Sequence, residues 1–411
     1  MAIMYKKRHL EQTLLKLSKS FPVIILTGPR QVGKTTLLEH LRKKSGHAYV
    51  SLDEFEIRSS AKRDPGLFLE QNPPPLIIDE IQYAPQLLPY IKTRVDKSKG
   101  KCSYWLTGSQ HFHLMRDVSE SLAGRAAIIK LLGFSQAEES GRPQPKEAWA
   151  PDLIAPTQEY PNIELKQLFK KIVRGSFPRL LLRNAPPLAT FYGSYVQTYI
   201  DRDLRDLVRV GSLSSFEKFI RLCAARTAQL LNLSDLARDS DVSVNTAKEW
   251  LSLLEASGQI YLLRPYYKNI SKRQIKTPKL YFLDIGLACY LTAWRTAETA
   301  LRGAMAGALF ETFILAELMK SFLNQGEEPP LWYYRTKEKE EVDILIEKNG
   351  KLYPIEIKLS SRVTTEDMKG IRSLEKSNIP LGKAAFITAS PKPYPLTRNT
   401  TVVPYTVIQN F

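Results

Sequence analysis

The sequence predicts an α/β protein whose N-terminal part is a parallel sheet built around a phosphate-binding loop. Residues 28 to 35 read Gly-Pro-Arg-Gln-Val-Gly-Lys-Thr, which fits the pattern GxxxxGK[ST]. The loop follows the apolar run 23–26 and precedes the helix-like run 37–41. Apolar strands and helical patterns then alternate up to about residue 136, and this alternation favours a parallel sheet. These three observations define the fold class of the first part of the chain.

Length and composition place the chain among multidomain proteins without a membrane partner. At 411 residues, it is long enough for two to four domains. Its uncharged apolar runs are shorter than the roughly 18 to 20 residues that a membrane span needs, and its first residues lack the apolar stretch of a signal peptide. We therefore expect a cytoplasmic protein. Cys102, Cys223 and Cys289 form no CxxC pair, so we expect reduced thiols rather than a zinc site or disulfides.

The phosphate loop predicts that ATP and Mg²⁺ bind at the end of the first strand. In such a loop, backbone N–H groups and the positive end of a helix dipole point at one place, which suits a polyphosphate. Lys34 is expected to reach the β- and γ-phosphates, and Thr35 to ligate Mg²⁺. The whole loop is expected to contact the nucleotide, through Gly28, Pro29, Arg30, Gln31, Val32, Gly33, Lys34, Thr35 and Thr36.

A second strand of this predicted site ends in two acids. The run Leu76-Ile77-Ile78-Asp79-Glu80 lies about 45 residues after the loop and has the pattern of a Walker B strand. Asp79 is expected to hold Mg²⁺ through its water shell. Glu80 is expected to polarise the water that attacks the γ-phosphate.

Two further polar positions follow later strands. The strand 104–106 ends at Thr107-Gly108-Ser109-Gln110. This polar tip is expected to lie between the Walker strands, with Ser109 or Gln110 touching the γ-phosphate or the water; the alternative is a capping turn. Arg125 leaves a helix just before the apolar pair 128–129. It is expected either to stabilise the nucleotide of a neighbouring subunit, which requires a homo-oligomer, or to bond the last carbonyls of its own helix.

Composition shifts divide the chain into five predicted regions. Residues 1–140 form the ATPase core, 141–164 a proline-rich linker or insertion, 165–228 a helical region, 229–272 a winged helix, and 273–411 a last α/β domain.

The net charge of +17 is concentrated in residues 166–280, which hold 20 Lys and Arg against 9 Asp and Glu. Clustered positive charge is typical of nucleic-acid partners, so DNA is the expected partner. The alternative is a well-solvated surface.

The winged helix is predicted from its own local pattern. Residues 233–237 indicate a capped helix, 241–243 a turn and 244–254 a second helix, which Gly258 ends. Residues 259–263 then indicate a strand, and the basic run 266–269 a wing. In a DNA-reading version, the exposed candidates on the second helix are Ser243, Asn245, Thr246 and Lys248. The alternative is a helix that packs against the ATPase core or a neighbouring subunit.

A hairpin near the C-terminus brings acidic residues together. The runs 341–347 and 352–359 alternate like strands around Asn349-Gly350, the preferred centre of a type I′ turn. This turn places Asp343 opposite Glu356, with Cβ atoms roughly 5 Å apart. Two carboxylates there repel each other unless a divalent cation lies between them. Alternation puts Lys358 on the same face as Glu356.

This Asp…Glu-x-Lys pattern resembles that of restriction-endonuclease-like domains. Asp343 and Glu356 are expected to bind Mg²⁺, and Lys358 to orient or activate the hydrolytic water. Glu311, on the apolar helix 309–314, is expected either to add a ligand or to be an ordinary surface residue. The alternative for the whole domain is an inactive fold that binds nucleic acid or protein without cutting.

The chain resembles a group of AAA+-type ATPases that are common in archaea and bacteria and largely uncharacterised. This resemblance covers nearly the whole chain except about 141–162, and it implies an ATPase core, a winged helix and a C-terminal domain similar to restriction endonucleases. The hypothesis is thus a Mg²⁺-dependent, DNA-associated ATPase with a metal-dependent endonuclease domain. The alternative is an ATP-driven switch or remodeller whose C-terminal domain only docks a partner. The matching stretches are Arg30, 79–82, 107–109, 122–125, 174–178, 199–204 and 279–287.

Overall fold

The structure, a computed structural model, describes residues 5–98, 103–108, 121–154, 160–161, 163–199, 213–267, 277–377 and 379–411. No helix in these ranges is long and apolar enough to span a membrane. Cys223 and Cys289 are buried free thiols, as expected, whereas Cys102 lies outside the described residues. The chain divides into two compact units, the first made of Met1–Phe134, Ala256–Gln259 and Phe322–Glu327, and the second of Ser135–Glu255, Ile260–Ser321 and Glu328–Phe411.

A five-stranded parallel sheet forms the centre of the first unit. Its strands are β1 (Val23–Thr27), β2 (Ala48–Ser51), β3 (Leu76–Asp79), β4 (Tyr104–Thr107) and β5 (Ala126–Lys130). The order is β2-β3-β4-β1-β5, and every neighbouring pair is parallel. All residues of β1, β3 and β4 are buried, which explains why these strands are continuous apolar runs in the sequence. The predicted parallel sheet is confirmed.

Helices connect and cover these strands. They are α1 (Leu10–Leu17), α2 (Lys34–Ser45), α3 (Phe55–Arg63), α4 (Pro65–Gln71) and α5 (Leu87–Lys97). Apolar side chains of α3, α4 and α5 pack with those of β1, β3 and β4 in one core. Because β4 lies between β1 and β3, the polar end of β4 comes between the two Walker strands.

Near its start, the second unit contains the segment that the sequence predicted to be a linker or insertion. Within 141–154, Ala148, Trp149 and Ala150 are buried. The Trp149 ring packs 4.6 Å from the ring of Phe411, and Glu147 forms an ion pair with Lys348 at 2.7 Å. This part of 141–164 therefore packs against later residues of the same unit. Its proline and glycine content indicated an irregular backbone, which the structure has, but not its burial.

The middle of the second unit combines helices with a small antiparallel sheet. The sheet order is β6-β8-β7, from β6 (Gln229–Leu230), β7 (Ile260–Leu263) and β8 (Lys279–Phe282). Since β8 pairs with both β6 and β7, this sheet crosses the boundary predicted at 272/273 and extends to Phe282. The helices are α6 (Gln136–Glu139), α7 (Leu165–Arg174), α8 (Leu188–Tyr199), α9 (Leu213–Ala225), α10 (Leu233–Asp239) and α11 (Val244–Ala256).

A six-stranded mixed sheet forms the last part of the unit. Its order is β13-β14-β12-β11-β10-β9; β9, β10 and β11 are antiparallel neighbours, whereas β11, β12 and β14 are parallel. The strands are β9 (Leu331–Arg335), β10 (Glu341–Lys348), β11 (Lys351–Lys358), β12 (Ala384–Thr388), β13 (Tyr394–Pro395) and β14 (Thr400–Pro404). The helices are α12 (Ile285–Leu291), α13 (Ala297–Arg302), α14 (Ala306–Leu323) and α15 (Lys369–Glu375).

The β10–β11 hairpin has the register that its turn predicts. Asn349 and Gly350 have φ angles of 52° and 71°, as a type I′ turn requires. Ile344 pairs with Ile355, so the next opposed positions are 343 and 356. The pairing of β10 with β9 shifts register between Val342 and Leu345, so β10 has a bulge in the stretch that contains Asp343.

Candidate functional site

The phosphate loop connects β1 to α2 and requires glycine at two positions. Gly28 and Gly33 have φ angles of 140° and 92°, a region that L side chains rarely adopt. A Cβ atom at Gly28 would collide with the carbonyl oxygen of Leu131. Since α2 begins directly after Gly33, its first N–H groups and its positive end lie at the loop. This geometry suits an anion.

Lys34 places its charge inside this loop. The residue is only 7% exposed, and its Nζ donates to the carbonyl oxygens of Gly28 and Pro29, both at 2.9 Å. Elsewhere in the loop Val32 is buried, whereas Gln31 and Thr36 are exposed.

An arginine outside the motif fixes the loop to the sheet. The buried Arg8 donates to the carbonyl oxygen of Val32 at 3.1 Å and to that of Leu132 at 2.7 Å. Its guanidinium also lies over the ring of Phe134. Sequence reasoning missed this residue because its partners lie far along the chain.

Asp79 links the two Walker motifs. It is buried at the carboxyl end of β3, and its Oδ2 accepts hydrogen bonds from Thr35 Oγ1 at 2.9 Å and from the Tyr49 hydroxyl at 2.8 Å. Its Oδ1 accepts a hydrogen bond from Thr107 Oγ1. Burial and the bond to Asp79 raise the pKa of Tyr49, so Tyr49 stays a hydrogen-bond donor. Thr35 and Asp79 are thus brought together, as the motifs predict.

Glu80 lies in a conformation uncommon for a residue with a side chain. Its φ and ψ angles are 57° and 49°, in the left-handed region. Its N–H donates to Thr107 Oγ1 at 3.1 Å, and its carboxylate accepts a hydrogen bond from the Gln82 amide. Thr107, at the end of β4, therefore connects both Walker acids. Ser109, two residues later, lies outside the described residues.

Arg125 is bonded within its own unit. Its Nε lies 2.6 Å from Asp96 Oδ1, its Nη2 lies 3.0 Å from Asp96 Oδ2, and its Nη1 donates to the Ala123 carbonyl at 2.9 Å. The hydrogen bond from Arg125 lowers the pKa of Asp96. Arg125 thus contacts Asp96 and the end of its own helix rather than the phosphate loop.

A second cluster of charged residues surrounds the β10–β11 hairpin. Asp343 Oδ2 accepts the N–H of Ile357 at 2.8 Å, so its side chain takes a place in the hydrogen-bond ladder beside the bulge. Glu356 is 4% exposed and lies beside the Asp343 carboxylate. Burial and the Asp343 charge raise the pKa of Glu356 well above its usual range, although Lys358 opposes this shift. The predicted proximity of Asp343, Glu356 and Lys358 is found.

Glu311 has partners that the sequence did not indicate. Its Oε1 accepts the Tyr281 hydroxyl at 2.5 Å and lies 3.3 Å from Lys279 Nζ. Burial and the Asp343 carboxylate raise the pKa of Glu311 to about 7. Its side chain is 16% exposed, so it is not an ordinary surface glutamate.

The geometry fits a metal ion only in part. In the described ranges, no group of three or more His, Cys, Asp or Glu side chains is arranged to hold a metal. Glu311 is bonded to Tyr281 and Lys279, so the expected ligand set of Glu311, Asp343 and Glu356 is not gathered at one point. The adjacent pair of Asp343 and Glu356 has the oxygen donors that Mg²⁺ prefers.

The candidate DNA-reading residues lie at the start of α11. Asn245 and Lys248 are exposed. Ser243 Oγ accepts the N–H of Thr246 at 3.1 Å and lies 2.8 Å from Thr246 Oγ1, so this pair caps the helix. Asn245 and Lys248 are therefore the side chains best placed to contact a ligand.

Three family models match successive parts of the chain. Residues 20–139 match "AAA domain", residues 165–298 match "Domain of unknown function (DUF8612)", and residues 306–408 match "Domain of unknown function (DUF4143)". The first match contains the parallel sheet and the phosphate loop. It supports an AAA-type ATPase domain in this part of the chain.

Similar proteins and solved structures were also found. The chain is 29% identical over 385 residues to "Uncharacterized protein Rv2008c" of Mycobacterium tuberculosis and to "Uncharacterized protein Mb2031c" of Mycobacterium bovis, which covers 93% of this chain and 80% of each relative. The Walker-type ATPase PABY2304 of Pyrococcus abyssi aligns with a TM-score of 0.40 and 16% identity, over 70% of this chain and 96% of that one. The Thermotoga maritima RuvB Holliday junction branch migration motor aligns with a TM-score of 0.30 and 14% identity, over 62% and 89%.

Proposed function

We propose that the first unit binds and hydrolyses ATP with Mg²⁺. The observation that carries this proposal is the 2.9 Å hydrogen bond between Thr35 and Asp79, which joins the two Walker motifs beside the buried Lys34. A hydroxyl and a carboxylate next to an anion site are the groups that a nucleotide-bound Mg²⁺ requires.

Each residue then has a role in hydrolysis. Lys34 and the N–H groups of the loop would bind the β- and γ-phosphates, and Thr35 and Asp79 would hold Mg²⁺. Bound Mg²⁺ supplies neutralisation of the phosphate charge. Glu80 accepts a hydrogen bond from the attacking water. To do so, its carboxylate must first break its hydrogen bond with the Gln82 amide.

Substitution of Lys34 tests this proposal. Lys34→Ala should reduce phosphate release from ATP at least about 100-fold, because a buried charge that stabilises the transferring phosphoryl group is lost. The matched control is Lys44→Ala, an exposed lysine in the last turn of the same helix. Phosphate release is measured with purified full-length protein in Mg²⁺. Undiminished turnover by Lys34→Ala would contradict the proposal.

We further propose that the middle of the second unit is a winged helix that binds DNA. The chain order of α9, β6, α10, α11, β7 and β8 and the antiparallel order β6-β8-β7 support this interpretation. The excess of 20 Lys and Arg over 9 Asp and Glu in residues 166–280 supports a polyanionic partner. Asn245 and Lys248 are the proposed contacts. Packing of α11 against another protein surface is the alternative.

The C-terminal sheet is proposed to be a restriction-endonuclease-like domain that cuts DNA with Mg²⁺. The order of a helix, three antiparallel strands, a helix and parallel strands supports this fold, through α14, β9 to β11, α15, and β12 with β14. Asp343 and Glu356 would hold Mg²⁺, which supplies charge neutralisation at the scissile phosphate. Lys358 would orient the hydrolytic water.

An inactive domain that docks nucleic acid or protein remains the competing proposal. It is favoured by the ammonium of Lys279, which lies 3.8 Å from Asp343 and competes for the same carboxylate. In that case, the protein is an ATP-driven switch or remodeller.

One experiment separates the two proposals. Supercoiled and branched DNA are incubated with Mg²⁺ and the full-length protein, Glu356→Gln, or Glu366→Gln, an exposed glutamate of the same domain that serves as the control. Cleavage that only Glu356→Gln abolishes supports the nuclease. Cleavage that Glu356→Gln leaves unchanged removes the assigned site, and DNA binding without cleavage supports the switch.

A further inference from the structure

Strand β8 is the central strand of the small antiparallel sheet, and its side chains also contact the charged cluster beside the β10–β11 hairpin. Its backbone pairs with β6 and with β7. Its side chains Lys279 and Tyr281, two positions apart on one face, both reach Glu311. The chain after β7 also pairs with β9, since Tyr266 N–H donates to the Tyr333 carbonyl at 2.7 Å. The proposed winged helix thus supplies part of the wall of the proposed metal site.

Lys279 is an internal cation in this wall. Its side chain is 5% exposed, and its Nζ lies 2.5 Å from Glu341, 3.3 Å from Glu311 and 3.8 Å from Asp343. The ring of Tyr333 lies 5.8 Å from the same nitrogen. Three carboxylates therefore lie within 4 Å of this nitrogen and compensate the ammonium charge inside the protein.

The charges of the cluster show what this ammonium offsets. Buried like charges are costly unless a cation compensates them, so the carboxylates depend strongly on Lys279. Without Lys279, only two cations would compensate the four acids of the cluster. The acids are Glu311, Glu341, Asp343 and Glu356, and the cations are Lys279, Arg335 and Lys358.

We propose that Lys279 is a built-in counter-cation that occupies the electrostatic role of a divalent metal in the metal-free site. This inference rests on the proposed metal site at Asp343 and Glu356. Metal binding and Lys279 then compete, because the ammonium lies within reach of Asp343. Since Lys279 belongs to β8, metal binding at Asp343 would change the contacts of a strand of the small antiparallel sheet.

The test measures Mn²⁺ binding and thermal unfolding of the nucleotide-free full-length protein. Lys279→Met removes the charge and keeps most of the chain length, and it should raise Mn²⁺ affinity about tenfold or more, because a positive charge close to the ligand oxygens is lost. Its melting temperature should fall without metal and recover with Mn²⁺. Lys279→Arg should bind Mn²⁺ about as the unmodified protein does.

Lys320→Met is the matched control. Lys320 is also buried and paired with a carboxylate, Glu317, at 2.7 Å, but it lies outside this cluster. Its loss should lower the melting temperature with no recovery in Mn²⁺. Binding is corrected for other metal sites with the double variant Asp343→Asn and Glu356→Gln.

If Lys279→Met does not fold, a second variant tests the proposal through a change in Mn²⁺ affinity in the opposite direction. Glu341→Gln removes the nearest carboxylate of Lys279 and should lower Mn²⁺ affinity several-fold, because the ammonium is then compensated mainly by Glu311 and Asp343. Mn²⁺ binding that neither variant changes overturns the role of Lys279 and leaves the metal site intact. Mn²⁺ binding that never exceeds that of the double variant overturns both proposals.

Discussion

Three hydroxyl groups converge on the Asp79 carboxylate, and each comes from a different element. Thr35 belongs to α2, Tyr49 to β2 and Thr107 to β4. Thr107 also accepts the N–H of Glu80, which is held in the left-handed region. The position of both Walker acids therefore depends on a threonine that lies outside the motifs.

Thr107→Val keeps the shape of this side chain and removes its hydroxyl. ATP turnover should fall at least about tenfold, because misplaced catalytic groups lose much of their effect. The control is Thr13→Val, which removes a buried hydroxyl that donates to the Asn324 carbonyl at 2.7 Å. Both variants should lose about 1–2 kcal/mol of unfolding free energy. Equal ATP turnover in the two variants would show that Thr107 has only a structural role.

Residues of the nucleotide site differ in how far the sequence could predict them. Lys34, Thr35 and Asp79 could be predicted because a fixed spacing next to apolar strands carries the signal. The place of the polar tip 107–110 between the Walker strands is predicted as well, but the hydrogen bonds of Thr107 to Asp79 and Glu80 are not. Tyr49 could not be predicted, because its contact with Asp79 arises from the pairing of β2 with β3, which no local pattern specifies.

In the β10–β11 hairpin, too, the local pattern could be predicted from the sequence, whereas contacts with other strands could not. Its turn residues predict the register, and the pairing of Ile344 with Ile355 confirms it. The bulge in the stretch that contains Asp343 could not be predicted, because it arises from pairing with β9. Neither could the contribution of β8, since Lys279 is 64 residues from Asp343 along the chain and belongs to another sheet.

A histidine just before β2 should give the first unit a pH-dependent stability. His47 lies 2.9 Å from both Ser45 Oγ and Ser103 Oγ and stacks on Trp105 at 4.0 Å. Burial lowers its pKa from 6.5 to about 4. The folded protein thus favours the neutral ring, and the unfolded chain binds the proton first as the pH falls.

The stability that His47 contributes should be fully present above pH 6.5 and lost as the pH falls toward 4. Between pH 7 and pH 5, the loss should be about 1 kcal/mol, after allowance for the partial exposure of the ring. Chemical unfolding of the first unit at both pH values measures it. His47→Gln should remove this part of the pH dependence, and an unchanged difference between the two pH values would contradict the assignment.

At the scale of the whole molecule, the role of Arg125 decides whether ATP hydrolysis depends on self-association. If Arg125 reaches the nucleotide of a neighbouring subunit, it must leave Asp96. Arg125→Ala should then lower ATP turnover at least about 100-fold, and turnover per subunit of the unmodified protein should rise with protein concentration.

Asp96→Ala is the control for this prediction. It breaks the same ion pair and leaves the arginine available, so its turnover should be unchanged or higher. Light scattering reports the oligomeric state of each protein. Equal losses in the two variants, or full activity of a monomer, would assign Arg125 to the surface of its own unit.

The contacts of strand β8 determine where the chain can be divided into fragments. Lys279 and Tyr281 lie in the part that matches one family model, which ends at residue 298, whereas their partner Glu311 lies in the part that matches another, which begins at residue 306. A fragment that starts at 306 would carry the carboxylates without their internal cation. The smallest fragment that keeps this cluster intact is therefore longer than either matched block.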